Sequence, residues 1–420
     1  MKLILENIAK IKAADVELNG ITVIAGENDT GKSTVGKALY SVFNSMYNVG
    51  GQIHHEKVRS IANAILSYYT MQHGAGVSVH INLHYKEIDD RFMSGDMQLD
   101  AIESGLMEML HGYRDDEDVD LDTIENTAKR IKDIIGVPDD EIFKTILLNN
   151  LRSEFGDQIN NIYNEQQGSV ELIIKNNAFS VMLSGDRVET IDNFYSLNTE
   201  AVYLDDPFIL DELGLMSFSG KRSRYANHEN DVINKLSRRD GNTVVDEIIA
   251  GNKLKRVYAE INSVCGGSIV LNKRYSAGYK INDSDKMLNV KNMSAGLKTF
   301  MILKTLLENG TIRENGMIIL DEPEIHLHPQ WQLLFAEIIV LLQKEFDMNI
   351  LLNTHSPYFM KAIEVYSAKY EIADKCKYYL AHTEDDRMSV IEDVTNEPEK
   401  IYRLLARPLQ DLENVRYEDD

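Results

Sequence analysis

The sequence predicts an α/β protein: a mixed sheet carrying an antiparallel β subdomain, with a helical lobe inserted into it. Three observations carry that prediction. The chain opens with strands that run through "ITVIAG" into a loop and then into "STVGKALYSVFNSMY", whose apolar residues recur at helical spacing. Towards the other end, "GMIIL" and "NILLNT" are short apolar strands separated by the helix "PQWQLLFAEIIVLLQK". Strand, helix, strand with buried strands means a parallel sheet. Between these ends, from about Gly50 to Asn164, the pattern turns helical and acidic.

Residues 1 to 25 supply two or three strands. "VELIIKNNAFSVMLSGD" alternates on both sides of Asn176 and Asn177, as a β-hairpin does, and "GSIVLNKRYSAGYKIND" has the same form. "VYLDDPFIL" reads as a strand, with Asp205 and Asp206 in a turn before Pro207. Residues 293 to 309 form a helix by the spacing of Leu297, Phe300, Met301, Leu306 and Leu307, closed by Gly310. Pro329 stands in the first turn of the next helix. After His355, "YYLAHTEDDRMSVIEDVTNEPEKIYRLLARPL" adds two strands and a helix. The expected division puts residues 1–50, 165–210 and 265–420 in the core, and 51–164 and 211–264 in the inserted lobe.

A chain of 420 residues buries a sizeable core and exceeds the usual single-domain size. Cys265 and Cys376 lie too far apart for a disulfide framework or a thiolate metal site, so a reducing cytoplasm is the expected location. No signal-peptide run or membrane-spanning stretch is visible, which argues against a membrane transporter, though not against a soluble subunit of one. The net charge, 44 − 67 = −23, repels nucleic acid overall. Any such contact needs the basic segment of Lys221, Arg222, Arg224, Lys235, Arg238 and Arg239, with Lys253, Lys255 and Arg256 after it; a charge run of this kind is ordinarily a solvated helix face. The acidic run "RDDEDVDLD" lacks the glycine and glutamate of a calcium loop.

"GENDTGKS", Gly26 to Ser33, matches the pattern G-x-x-x-x-G-K-[ST] between a strand and a helix. Its glycines let the backbone curl, so that the N–H groups from Gly26 through Asn28, Asp29, Thr30 and Gly31 to Thr34 face phosphate oxygens. Lys32 reaches the β- and γ-phosphates, and the Ser33 hydroxyl suits Mg²⁺. In "MIILDEPEIHLHP" an apolar strand delivers Asp321, placed to hold the Mg²⁺ shell, and Glu322, placed to polarise an attacking water. His326 and His328 have metal-ligand spacing, but Pro329 already explains that loop as a helix start. "ILLNTHSP" puts His355 after another buried strand, and parallel strands end at one edge.

The order P-loop, "MSAGLKTF", "LDE", "THS" resembles the ABC-class ATPases, specifically the non-transporter branch of SMC proteins and the OLD-like ATPases of bacterial antiphage defence. "DEPEIHLHP" and "NTHSPYF" look most like the latter. The resemblance covers residues 1 to 50 and about 290 to 360. It implies a P-loop ABC-type ATPase core that takes ATP and Mg²⁺ and closes as a homodimer around two nucleotides. It makes "MSAGLK" the signature motif, with Ser294 and Gly296 contacting nucleotide on the partner protomer, "EIHLHP" an interface loop and His355 a switch histidine. It also implies a Mg²⁺-sensing glutamine, for which Gln158 in "LRSEFGDQINNIY" is the candidate, beside Ser33 and Asp321. No nuclease domain is expected in the chain. The function expected is control of a separate effector protein, as in antiphage systems; the rival is a genome-maintenance ATPase acting directly on DNA.

Overall fold

Strands β1 (Lys2–Ile8) and β2 (Ile11–Glu17) form a tight hairpin, and the wholly buried β3 (Ile21–Gly26) runs into helix α1 (Lys32–Met46). The computed structural model describes residues 1–73, 85–93, 98–111, 121–213, 227–238, 251, 253–271, 277–282, 284 and 286–418. Lys221, Arg222, Arg224, Arg239 and most of the acidic run lie outside them.

Among the described residues five helices follow: α2 (Val49–His73), α3 (Tyr85–Phe92), α4 (Leu99–His111), α5 (Leu121–Gly136) and α6 (Asp139–Phe155). Next come β4 (Gly168–Ile174), β5 (Asn177–Ser184), β6 (Arg187–Asp192) and β7 (Ala201–Leu204), then a 3-10 turn at Pro207–Glu212. Helices α7 (His228–Leu236) and α8 (Lys255–Val264) precede β8 (Gly267–Leu271), β9 (Ala277–Ile281) and β10 (Met287–Asn289). The last third is α9 (Ala295–Glu308), β11 (Met317–Asp321), α10 (Pro329–Phe346), β12 (Asn349–Thr354), α11 (Pro357–Lys369), β13 (Cys376–Thr383), β14 (Ser389–Asp393) and α12 (Glu399–Glu418).

Among the described residues one sheet has eleven strands in the order β6-β5-β4-β1-β2-β14-β13-β3-β12-β11-β7. Strands β13, β3, β12, β11 and β7 are parallel neighbours, so their C-terminal ends lie along one edge. The half from β6 to β2 is antiparallel, and β8 to β10 make a separate antiparallel sheet. The mixed α/β sheet with antiparallel strands thus stands as expected. On the parallel half, apolar faces of α9 and α10 (Phe300, Met301, Phe335, Ile339) pack with Val23, Leu320 and Leu352.

The chain divides into two compact units, Met1–Tyr47 with Leu147–Asp420, and Asn48–Ile146. The second is helical and has its own core, including Ile61, Ile65, Phe92, Leu106 and Ile131. The expected boundaries differ from this division in three places. The described parts of 211–264, assigned from sequence to the inserted lobe, belong to the sheet unit, because Val232, Ile233 and Leu236 of α7 and Val257 and Ile261 of α8 bury their faces in its core. Residues 147–164, from the last turns of α6 onward, also belong to the sheet unit, and residues 48–50 belong to the helical unit. None of the described helices is long and apolar enough to cross a membrane.

Candidate active site

Gly26 ends β3 opposite Ala381 of β13, and a Cβ there would lie 2.4 Å from the Ala381 carbonyl oxygen. Only glycine fits that pairing. The loop beyond turns through left-handed backbone at Asp29 (φ 63°) and Gly31 (φ 80°), and Gly31 adopts this conformation without strain. Lys10 pairs with Asp29 at 2.6 Å, and the Thr30 hydroxyl donates to the Glu27 carbonyl at 2.8 Å. Gly31 caps α1 without a side-chain acceptor, so the helix start keeps N–H groups for an external anion. Ser33 is exposed and its hydroxyl bonds no side chain or backbone group among the described residues. Lys32 is only 4 % exposed; its ammonium donates to the Gly26 and Glu27 carbonyls at 3.1 and 2.8 Å and lies 3.5 Å from Glu322 Oε1. Donors, hydroxyl and cation together make a cradle suited to phosphate.

Asp321 closes β11 and is nearly buried. Its Oδ2 accepts from the Tyr203 hydroxyl at 2.8 Å and its Oδ1 from the Asn353 amide at 3.1 Å. The same Asn353 amide donates to the Lys32 carbonyl at 3.1 Å, which ties the start of α1 to the acid-bearing strand. Glu322 sits at φ 48°, an uncommon conformation for a residue with a side chain, and donates its N–H to the Asn353 carbonyl at 2.9 Å. His355 Nδ1 lies 3.3 Å from Glu322 Oε1 and 3.9 Å from Glu324 Oε1, close enough for an ion pair but not aligned for a hydrogen bond.

Sequence reasoning passed over Glu324. It is 2 % exposed, and its Oε1 accepts from the Thr354 hydroxyl at 2.5 Å and from the His355 N–H at 3.2 Å, while Oε2 has no partner among the described residues. Burial pushes its pKa up, against the bonds from Thr354 and the charge of His355. The third acid of "DEPE" was the available signal. Asn353 and Tyr203 were missed too; an amide inside an apolar strand marks the first, and nothing in "VYLDD" marks the second.

Ser294 caps α9, its hydroxyl accepting the Leu297 N–H at 3.4 Å, and stands exposed at the helix tip. Gly296 is buried: a Cβ there would come within 3.0 Å of the Trp331 ring and 3.1 Å of the His326 carbonyl oxygen. Its lack of a side chain lets α9 approach α10. Among the described residues neither Ser294 nor Gly296 makes a hydrogen bond or ion pair to Lys32, Asp321 or Glu322. Lys298, one turn on, is buried against Asp211 at 2.7 Å with its ammonium 4.6 Å from the Phe208 ring centre. Phe208 meets His326 edge to face at 5.5 Å, and His328 caps α10 by accepting from the Gln330 N–H at 3.4 Å, so each histidine has a place in the loop's own structure. Gln158 is exposed in the turn after α6, and among the described residues its side chain bonds neither Asp321 nor Ser33. Asp206 caps the 3-10 turn through the Phe208 N–H, whereas Asp205 turns to His228.

The described basic residues are largely neutralised. Lys235 is buried with Asp231 and Glu200, Arg238 pairs with Glu200, and Lys253 pairs with Glu314. Cys265 and Cys376 are buried thiols, each with a pKa pushed up to about 11 by burial.

A family model described as AAA ATPase domain (AAA_15) matches residues 1–360. Among solved structures, the SMC head domain from Thermotoga maritima aligns over 94 % of this chain and 98 % of its own, with 11 % identity and a TM-score of 0.41. An Smc head solved with the C-winged helix domain of ScpA aligns over 93 % and 97 %, with 11 % identity and a TM-score of 0.44. An Smc head with an extended coiled coil, bound to the C-terminal domain of ScpA derived from Pyrococcus furiosus, aligns over 99 % and 98 %, with 12 % identity and a TM-score of 0.41.

Proposed function

We propose that this chain, which belongs to the AAA ATPase domain family (AAA_15), binds ATP and hydrolyses it where Lys32, Asp321, Glu322 and His355 meet at the sheet edge. One observation carries the proposal: the Asn353 amide bonds both the Lys32 carbonyl and Asp321, while Glu322 Oε1 lies 3.5 Å from the Lys32 ammonium and 3.3 Å from His355. Loop N–H groups and Lys32 would hold the phosphates. Ser33 and Asp321, a hydroxyl and a carboxylate, are the hard oxygen donors that suit Mg²⁺. When bound, that ion would offset charge on the phosphates. Glu322 would accept the proton of the attacking water, and His355 beside it would orient that carboxylate and stabilise charge at the terminal phosphate. Gln158, whose side chain bonds neither Ser33 nor Asp321 among the described residues, is left out of this scheme.

Catalysis is proposed to occur in a homodimer, each site joining one P-loop to the partner's signature. Support comes from Ser294, which stands exposed at a helix start while making no bond to the phosphate loop of its own chain. The test mixes Ser294→Arg with Lys32→Ala. Each homodimer then has two damaged sites, but a mixed dimer has one intact. With random exchange about half the dimers are mixed, so about a quarter of all sites should again trap nucleotide. Exchange without recovered trapping would refute a shared site.

The further proposal, that closing of this dimer controls a separate effector as in antiphage systems, is supported by the resemblance in "DEPEIHLHP" and "NTHSPYF" alone. The DNA-acting alternative is weakened by the ion pairs at Lys235, Arg238 and Lys253. Salt-dependent DNA binding lost on neutralising Lys255 and Arg256 would favour it instead.

A further inference from the structure

Asp321 is held from behind by a series of contacts, buried except at Asp205, leading away from the phosphate loop. Tyr203, 1 % exposed on β7, donates its hydroxyl to Asp321 Oδ2 at 2.8 Å. Its ring stacks on the imidazole of His228, with centroids 4.4 Å apart and planes 25° from parallel. His228 opens α7 and meets a carboxylate on each ring nitrogen: Nδ1 lies 2.6 Å from Glu154 Oε2, on α6, and Nε2 lies 3.0 Å from Asp205 Oδ2. Its backbone N–H adds a bond to Glu154 Oε1 at 2.7 Å. Tyr40 of α1 closes the remaining side, edge-on to the imidazole at 6.0 Å.

This geometry selects one charge state. A neutral imidazole donates from one nitrogen only, and its other nitrogen would turn a lone pair on a carboxylate. Donation at both satisfies Glu154 and Asp205 together. Burial alone would lower the His228 pKa, but the hydrogen bonds and charges of Asp205 and Glu154 outweigh it and raise the value to about 10. Asp205 responds in kind: burial works to raise its pKa, yet the bond to His228 holds it below the usual carboxylate range. The imidazole is therefore a fixed, charged wall against which the Tyr203 ring lies flat.

A terminal carboxylate rotates easily about its last bond, so its direction is set by what bonds its two oxygens. Here Asn353 bonds one and Tyr203 the other. Resting on the ATPase assignment above, we propose that Tyr203 and His228 are positioning residues for Asp321, the Tyr203 hydroxyl setting the rotation of that carboxylate and the Glu154–His228–Asp205 clamp holding the Tyr203 ring in place. Neither side chain touches nucleotide in this scheme. Their contribution is metal affinity, through the carboxylate they orient.

Tyr203→Phe removes only the hydroxyl and fills the same core volume, so the variant keeps the ring stack. The full chain is tested with ATP bound in EDTA, with ATP bound under increasing Mg²⁺, and with Mg²⁺ titrated into the ATPase reaction; Asp321→Asn is the reference. Tyr203→Phe is expected to bind ATP in EDTA within about twofold of the parent while needing about tenfold more Mg²⁺ for half-maximal binding and hydrolysis. Glu154→Gln, which weakens the clamp, is expected to shift the Mg²⁺ requirement in the same direction by less. If Asp321→Asn loses the Mg²⁺ response and Tyr203→Phe does not move it, the positioning role is wrong although the ATPase assignment stands. If Asp321→Asn itself keeps the parental response, Asp321 is not the metal acid and both ideas fall. A Tyr203→Phe chain that loses EDTA and Mg²⁺ binding equally reports general structural damage and also overturns the proposal. A shift in Tyr203→Phe with none in Glu154→Gln removes the clamp from it.

Discussion

Glu322 Oε1 and His355 Nδ1 lie 3.3 Å apart, joining the end of β11 to the loop after β12. Lys32 approaches the same carboxylate oxygen from the P-loop side at 3.5 Å. Three chain segments, remote in sequence, thus converge on one carboxylate.

Glu322→Gln keeps the size and the backbone while removing the proton acceptor. Nucleotide affinity should be retained and single-turnover hydrolysis should slow by at least about a hundredfold, with the ATP-bound protein accumulating as a dimer on size exclusion. Hydrolysis at the parental rate would show that another group activates the water.

Gly26→Ala probes packing rather than chemistry. The added Cβ meets the backbone oxygen of Ala381 at 2.4 Å, and neither strand can yield without disturbing the pairing of β3 with β13. Denaturant titration without nucleotide should show a loss of about 1 to 3 kcal/mol. An unchanged midpoint would mean that this sheet edge is looser than its geometry implies.

Lys298 and Asp211 form an ion pair in which the lysine side chain is 1 % exposed. Asp211→Ala strands the buried ammonium beside Phe208 and should cost about 3 kcal/mol or more. Lys298→Met removes the charge and keeps the stem, so it should cost less. The reverse order in urea midpoints would contradict the burial described for the lysine.

His228 should make stability depend on pH. Its folded pKa, about 10, stands above the ordinary 6.5, so the clamp contributes fully below pH 6.5 and its contribution is lost as pH rises towards 10. The groups facing it are Glu154 from α6, Asp205 after β7, Tyr203 and Tyr40. Unfolding midpoints of the parent should therefore fall more steeply over that range than those of His228→Gln. Parallel curves would mean that the imidazole is not charged in the folded protein.

The P-loop and the acids after β11 were legible in the sequence because each carries its own context: a strand, a turn that needs glycine, and a chemistry placed at the strand end. Their convergence followed from parallel strands sharing an edge. The clamp was not legible, since His228 finds Glu154 74 positions away and Asp205 23 positions away, and no local pattern records such meetings. Helices α7 and α8 were placed with the inserted lobe for a related reason. An amphipathic stripe such as Val232, Ile233 and Leu236 says that a face is covered, not which core covers it. Gln158 was chosen by its position before a hairpin, and the turn after α6 leaves it facing outward.

The neighbours of β3 in the sheet are β12 and β13, which begin at Asn349 and Cys376, whereas β3 itself ends at Gly26. A ribosome therefore makes the phosphate loop more than 300 residues before the strands that flank it. Until those late strands arrive, β3 has both hydrogen-bonding edges open, and Asn353 is not there to fasten the start of α1 to Asp321. Until β12 and β13 are made, the nascent chain carries an apolar, unpaired strand, the kind of exposure that makes long-range sheets depend on protected folding.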